Sequence, residues 1–253
     1  MSFEGARLAV VRVERIGFTP VKGGRHVAHE SVVLDASGPV GDRAFCLVDR
    51  ARGRVLRTVE NPSLVRTVAH WHGGVLSVRL PFGIAEGAPI GSGDVVEVDY
   101  WGRVARLEVV DGPWAAAYSR FLGYAVVLAR VAPGAVVYAG PVSLVTTEAL
   151  RWLGRRAGTE VAAERFRSTF VVDSGAGERR TEDQWVGRRV GIGEAEVEVT
   201  ATIPRCAVVD LDPLTGVRDR ALLKAIGGPD LPFGVDAVVT RPGRVRVGDR
   251  VLP

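Results

Sequence analysis

Residues 200–216 read TATIPRCAVVDLDPLTG and place Cys206, one of two cysteines in the chain, directly after Arg205, between an apolar run and an acidic turn. A free cysteine is most often a small buried hydrophobe. An adjacent guanidinium can lower the thiol pKa when both side chains face one space, and a loop such as DLDPLTG suggests the exposed end of a strand. A thiolate there can serve as a soft metal ligand or as a nucleophile. Cys46 sits in RAFCLVDR among apolar neighbours and reads as core. Two cysteines outside any C-x-x-C pair argue against a disulfide-stapled secreted scaffold. They also cannot supply the four thiolates that an iron–sulfur cluster usually requires.

The cations form the second chemical signal. Arginine supplies 31 of the 33 basic residues, and the only lysines are Lys22 and Lys224. A lysine in such a chain raises the question of a site that wants a compact ammonium. The net charge is +4, yet the arginines are scattered as singles or pairs, among them Arg155-Arg156, Arg179-Arg180 and Arg188-Arg189, with acids close by. That distribution disfavours nucleic acid and suits a small anionic ligand held by a few arginines.

Arg165 and Arg167 flank Phe166, so in extended chain both face one way and could grip one anion, or be two solvated arginines. His70 and His72 alternate in VAHWHGG, and His26 and His29 could join them at a zinc site. No carboxylate or cysteine lies at tight spacing, and partly exposed strand histidines are the better reading. The GSG at 91–93 lacks a phosphate-loop signature and reads as a turn.

These residues must be carried largely on strands. RLAVVRVERIG, ESVVLD, AFCLVD, RVLRTV, GVLSVRL, VEVTATI, VDAVVT and RVRVGDRV are short β-branched runs bounded by Gly, Pro or Asp. DVVEVDYWGRVARLEVV reads as two strands turning near Trp101-Gly102. Helices are expected in PWAAAYSRFLG, TTEALRWLGRRAG and RDRALLKAIGG, from their Pro starts, threonine caps, closing arginines and Gly stops. The echo among GSGDVVEV, GIGEAEVEV and RVGDRV is repeated turn chemistry. A seam near residue 130 divides the chain, and no apolar run approaches the ~20 residues that cross a bilayer. The expectation is a soluble cytoplasmic protein that binds neither membrane nor nucleic acid.

IPRC, DPLTG, FGVDAVV and GRVRVGDRV together resemble the MOSC domain, the module named after the C-terminal part of molybdenum-cofactor sulfurases. ERFRSTFVVD and TEDQWVG fit the same domain, while FTPVKGGR, VGDRAFCLVD and ENPSLV resemble the β-barrel segment that precedes it. The pairing is similar to the mitochondrial amidoxime-reducing component and its bacterial relatives. The resemblance implies a mainly β fold with a few flanking helices, made of two packed β-barrel-like units. These are an N-terminal MOSC-associated β-barrel domain over 1–129 and a MOSC domain over 130–253.

The resemblance also implies a molybdopterin cofactor whose molybdenum is ligated by Cys206, with the catalytic role resting on that centre. Lys22 and Arg43 would hold its anionic end, helped by backbone N–H groups at Gly23 and Gly24, while Asp42 either orients Arg43 or caps a turn rather than acting as an acid or base. Arg165, Arg167, Thr169 and Arg205 join the implied cofactor-binding set, and Thr146, at the start of a helix, either contacts the cofactor or caps that helix. Glu182, Asp183 and Trp185 match a motif read as structural. Lys22 and Arg43 lie in the first half and Cys206 in the second, so the site is expected in a basic cleft between or beside the units.

The implied activity is reduction of small N-hydroxylated or N-oxygenated substrates by oxygen-atom removal at molybdenum. A separate electron donor, a ferredoxin or flavoprotein reductase, is expected, because the chain shows no spare cysteines and no Gly-x-Gly-x-x-Gly fingerprint. The alternative is a non-redox module, either carrying sulfur as a Cys206 persulfide or binding the cofactor without catalysis. Gly23 stands where the family has serine, Ala139 where it has an acid, and Ser168-Thr169 where it has Pro-Asn. These departures bear on the substrate more than on the cofactor.

Overall fold

The computed structural model describes residues 11–132, 135–175, 180–228 and 231–253. Residues 7–10 of the first expected strand and Arg179 lie outside that set. In the first half the strands are β1 (Arg12–Phe18), β2 (Val27–His29), β3 (Ser31–Asp35), β4 (Gly38–Pro39), β5 (Phe45–Asp49), β6 (Arg54–Val55), β7 (Val68–His72), β8 (Val75–Leu80), β9 (Gly83–Gly87), β10 (Ile90–Tyr100) and β11 (Arg103–Asp111). Helix α1 (Trp114–Leu122), β12 (Val127–Arg130), β13 (Val142–Thr146), α2 (Thr147–Ala157), β14 (Phe170–Asp173), β15 (Arg189–Ile192), β16 (Ala195–Pro204), α3 (Leu222–Ile226), β17 (Pro232–Arg241), β18 (Gly243–Arg246) and β19 (Val251–Leu252) follow. The architecture is mainly β, and all three expected helices form.

Strands β10, β11, β12, β5 and β6 close into a barrel. β5 is buried on both faces, which explains its unbroken apolar run. Cys46 and Val48 pack with Val98, Tyr100, Ala105 and Leu107. Phe45 and Leu47 instead join the cluster that holds Trp114 and Tyr118 of α1 and Leu76 and Val78 of β8. Cys46 is therefore core, as its sequence context indicates.

The second unit is an eight-stranded sheet in the order β19-β15-β16-β17-β13-β14-β1-β2, with the small β18-β3-β4 sheet sharing its core. Along β13 and β14 the side chains alternate. Leu144, Phe170 and Val172 enter that core, whereas Val145 and Val171 pack under α2 and α3. RVLRTV yields strand only at Arg54–Val55, and the chain beyond it turns into the wall of the site described below.

The two sheets do not divide at the seam near 130. β1 pairs antiparallel with β14, β3 pairs with β18, and Val13, Ile16, Val32 and Leu34 are built into the second core. The second unit thus borrows four strands from the first half of the sequence. Residues 130–253 expressed alone should consequently show no cooperative denaturant transition, whereas the whole chain does. A cooperative transition of that fragment would show that β1 and β3 are dispensable to the core.

Candidate functional site

Backbone pairing brings the first two cations together. Lys22 N donates to Phe45 O at 2.8 Å, Phe45 N to Pro20 O at 2.9 Å, and Arg43 N to Thr19 O at 2.8 Å, so the loop after β1 is zipped to the turn before β5. Asp42 fastens both segments, accepting from Thr19 N at 3.2 Å and pairing with Arg43 at 3.3 Å. This is the orienting role expected of it. Gly23 takes φ +90, which favours glycine, and a Cβ there would come within 2.9 Å of Leu64. Gly24 is not free to bind a ligand, because its N–H is spent on Val21 O.

From the other half, β16 ends at Pro204 and delivers Arg205 and Cys206 to the same place. One cavity of about 160 Å³ is lined by Lys22, Gly23, Arg43, Arg165, Arg167, Arg205 and Cys206. It also holds Arg57, Thr58, Tyr100, Trp101 and Tyr138, which sequence reasoning did not single out. Trp101 at a hairpin tip was the one available signal among these. The others converge from separate loops.

Among the described residues that line the cavity there is no carboxylate, so the electrostatics there are one-sided. Arg57 is paired with Glu60 and Arg165 with Asp219. Lys22 donates to the Tyr100 hydroxyl at 2.9 Å and has no acidic partner among the described residues. Burial, with Arg43 and Arg167 adding repulsion, lowers the Lys22 pKa to about 7. Burial and the Arg43 charge likewise bring Arg167 down to about 10. Cations held against both desolvation and each other form a place that an anion would stabilise.

Backbone strain marks the same cavity. Among the described residues the non-glycine positions with positive φ are Arg43 (49°), Trp101 (57°) and Arg167 (51°), and all three line it. Such conformations cost energy and concentrate where function demands a particular side-chain direction.

Several of the other expected positions take different roles. Arg165 and Arg167 do not share a face, because Ala163–Phe166 is a 3-10 turn and Arg167 caps it in left-handed conformation. Arg165 touches the cavity wall, but its guanidinium is spent on Asp219 at 2.9 and 2.8 Å and on Leu211 O at 2.9 Å. Thr146 does not line the cavity. It is fully buried, caps α2 through Ala149 N and donates to Glu182 at 2.7 Å, so it has no surface for a ligand. Thr169 also lies outside the lining: it is buried, and its hydroxyl accepts from Ser143 N at 3.2 Å, clasping β14 to β13.

Arg205 lines the cavity but acts as a brace. It donates to Phe233 O at 2.6 Å and Phe166 O at 3.1 Å, and burial lowers its pKa to about 10. Trp185 is buried, as a structural role requires. His70 and His72 stand exposed on β7, His26 is buried, and His29 stacks on Phe18 at 3.7 Å. Among the described residues no group of three or more His, Cys, Asp or Glu is placed to hold a metal.

Fold and site together define a two-unit β protein with a thiol and a cationic anchor in one cavity. The chain belongs to the MOSC-domain family: residues 10–100 match the MOSC N-terminal beta barrel domain and residues 129–252 the MOSC domain. It is 31% identical over 125 residues to mitochondrial amidoxime reducing component 2 of Rattus norvegicus, covering 44% of this chain and 36% of that protein. It is 32% identical over 127 residues to mitochondrial amidoxime-reducing component 1 of Mus musculus, covering 45% and 36%. The matched region thus spans about a third of the length of these relatives. The crystal structure of the YUAD protein from Bacillus subtilis aligns over 96% of this chain and 94% of that one, with a TM-score of 0.49 and 12% identity. Among the described residues no helix is long and apolar enough to cross a membrane.

The lowered Lys22 pKa makes stability depend on pH. The folded chain releases that proton near pH 7 while the unfolded chain keeps it to about 10.5, so the unfolded state binds more protons between these values and stability rises with pH across the window. Below pH 7 both states are protonated and the folded protein bears the full cost of a desolvated ammonium. Lys22→Met should be more stable than the parent chain below pH 7, and the difference should shrink as the pH climbs toward 10. Urea unfolding at several pH values checks this, and a pH-independent difference would refute the desolvated ammonium.

Proposed function

We propose that the chain binds a molybdopterin cofactor and reduces N-hydroxylated or related N-oxygenated compounds. The observation that carries the proposal is the opening of Cys206 into the same cavity as Lys22, Arg43 and Arg167. These residues fit the group. A thiol sits on the wall, the described lining residues include no carboxylate, and two cations, Lys22 and Arg167, are held at an electrostatic cost that a phosphate would offset. The activity in the names of the rat and mouse relatives is consistent with this reading.

When bound, the cofactor supplies oxygen-atom removal from the N–O bond through the two-electron change of its metal. The chain's own residues hold and orient. Lys22, as a point charge, and Arg43 and Arg167, as forked donors, would take the phosphate oxygens. Cys206 would supply the metal with a thiolate. Arg205, locked on two backbone carbonyls, keeps the end of β16 and therefore Cys206 in place. Asp42 fixes Arg43 through their ion pair. Electrons would come from a separate ferredoxin or flavoprotein, since only Cys206 of the two thiols reaches the cavity and Cys46 is sealed, its pKa pushed up to about 12 by burial.

Expression in a host that makes molybdopterin should yield about one molybdenum per chain, with Cys206→Ala losing most of it and Cys46→Ala keeping it. The loaded protein should reduce an amidoxime with an artificial reductant and not with NADH alone. Metal-free protein carrying labile sulfur on Cys206 would transfer the case to the sulfur-carrier alternative. Equal metal in both variants would remove the ligand assignment.

A further inference from the structure

The cavity has a second chemical character that the anion site does not use. β10 and β11 are joined by Trp101 and Gly102, with φ of 57° and 76°, between the paired residues Tyr100 and Arg103. Positive φ at both central positions is the tight hairpin turn that asparagine, aspartate or glycine fills with little strain. Tryptophan has no conformational reason to stand there. A bulky residue held in the left-handed region is an outlier that points to a task for the side chain.

The indole is placed rather than loose. The Arg57 guanidinium lies 4.3 Å from its ring centroid, and Tyr138 meets it with centroids 5.4 Å apart at an interplanar angle of 57°. Both rings line the cavity that contains Cys206, yet Trp101 is 43% exposed and Tyr138 49%. Rings this exposed contribute little to a core. Trp101 comes from the closed barrel and Tyr138 from the segment leading into β13, so two separate stretches of chain supply one aromatic wall. Val59 and Val137 extend its apolar surface.

We propose that Trp101 and Tyr138 are the specificity-determining residues of the cavity, a stacking wall that selects N-oxygenated substrates whose N–O group is borne by a flat aromatic ring over those in which it is borne by an aliphatic chain. The proposal rests on the functional reading above. Aromatic rings gain from offset-stacked or edge-to-face contact beyond the area they bury, and Arg57, by its contact with the indole, holds one face of the wall fixed. A short alkyl group cannot collect the ring contact. A neutral flat ring also leaves the cationic end of the cavity to the anion.

The test compares molybdenum-loaded parent protein with Trp101→Asn, which suits the turn and removes the ring, with Trp101→Phe, which restores a ring, and with Tyr138→Ala. Benzamidoxime and acetamidoxime serve as aryl and alkyl probes. Their binding is measured by calorimetry on the oxidised protein, and their kcat/KM with an artificial reductant. Trp101→Asn and Tyr138→Ala should each lower the aryl-to-alkyl ratio about 2- to 12-fold, the worth of one aromatic contact. Trp101→Phe should recover most of it, and metal content should stay at the parent level.

An unchanged ratio in both ring-removing variants would overturn the proposal. So would loss of metal from Trp101→Asn, which would assign the indole to the cofactor. Aryl-selective binding that depends on Trp101, in a protein that reduces neither probe, would uphold the wall and sink the catalytic reading. Reduction of both probes with no dependence on either ring would do the reverse.

Discussion

Lys22, Arg43 and Arg167 are cations forced to share one partly buried cavity, and this unfavourable arrangement is what the rest of the structure must sustain. Each loses hydration and repels the other two, which is why burial and neighbouring charge together depress Lys22 and Arg167. A chain left to relax would swing such side chains into water. Here the backbone forbids it: Lys22 is pinned by its N–H to Phe45 O, and Arg43 and Arg167 project from left-handed positions. Strain and repulsion at this site are accepted by a fold that gains elsewhere.

What the fold gains lies in the interlocking of its halves. β1 carries Ile16 into the second core, and the loop that follows β1 carries Lys22 onto the barrel. One short stretch of chain therefore belongs to both units, and the cavity falls where it passes from one to the other. Cys206 reaches that junction because β16 ends there, and Arg205 keeps the end from drifting by bonding carbonyls of two other segments. The thiol's position is thus fixed through segments that lie far in sequence from Lys22 and Arg43.

Much of this was legible in residue order where the physics is local. Alternating β-branched runs gave the strands, the Trp101-Gly102 turn and the three helices follow from turn and cap chemistry, and the apolar surroundings of Cys46 identified it as core. The MOSC-like motifs singled out Lys22, Arg43 and Cys206, which the structure brings to one cavity. Non-local facts were hidden. No pattern in 12–39 reveals that these strands pair with 170–173 and 243–246. Thr146 and Thr169 share a residue type with ligand-binding positions, but their hydroxyls are consumed by a helix cap, a buried glutamate and a strand clasp. The alternation of Arg165 and Arg167 suits an extended pair, but a 3-10 turn sends one to Asp219 and the other to the cavity. Arg57, Trp101 and Tyr138 converge from three distant segments, which spacing cannot disclose.

The central claim is that Cys206 and the cations of the first half serve one bound group. X-ray absorption at the molybdenum edge tests it most directly, on loaded parent protein and on whatever loaded fraction of Cys206→Ser can be recovered. The sulfur shell of the variant should be smaller by one thiolate, replaced by a lighter scatterer. A sulfur shell identical in the two proteins would contradict the assignment of Cys206, and with it the joint site.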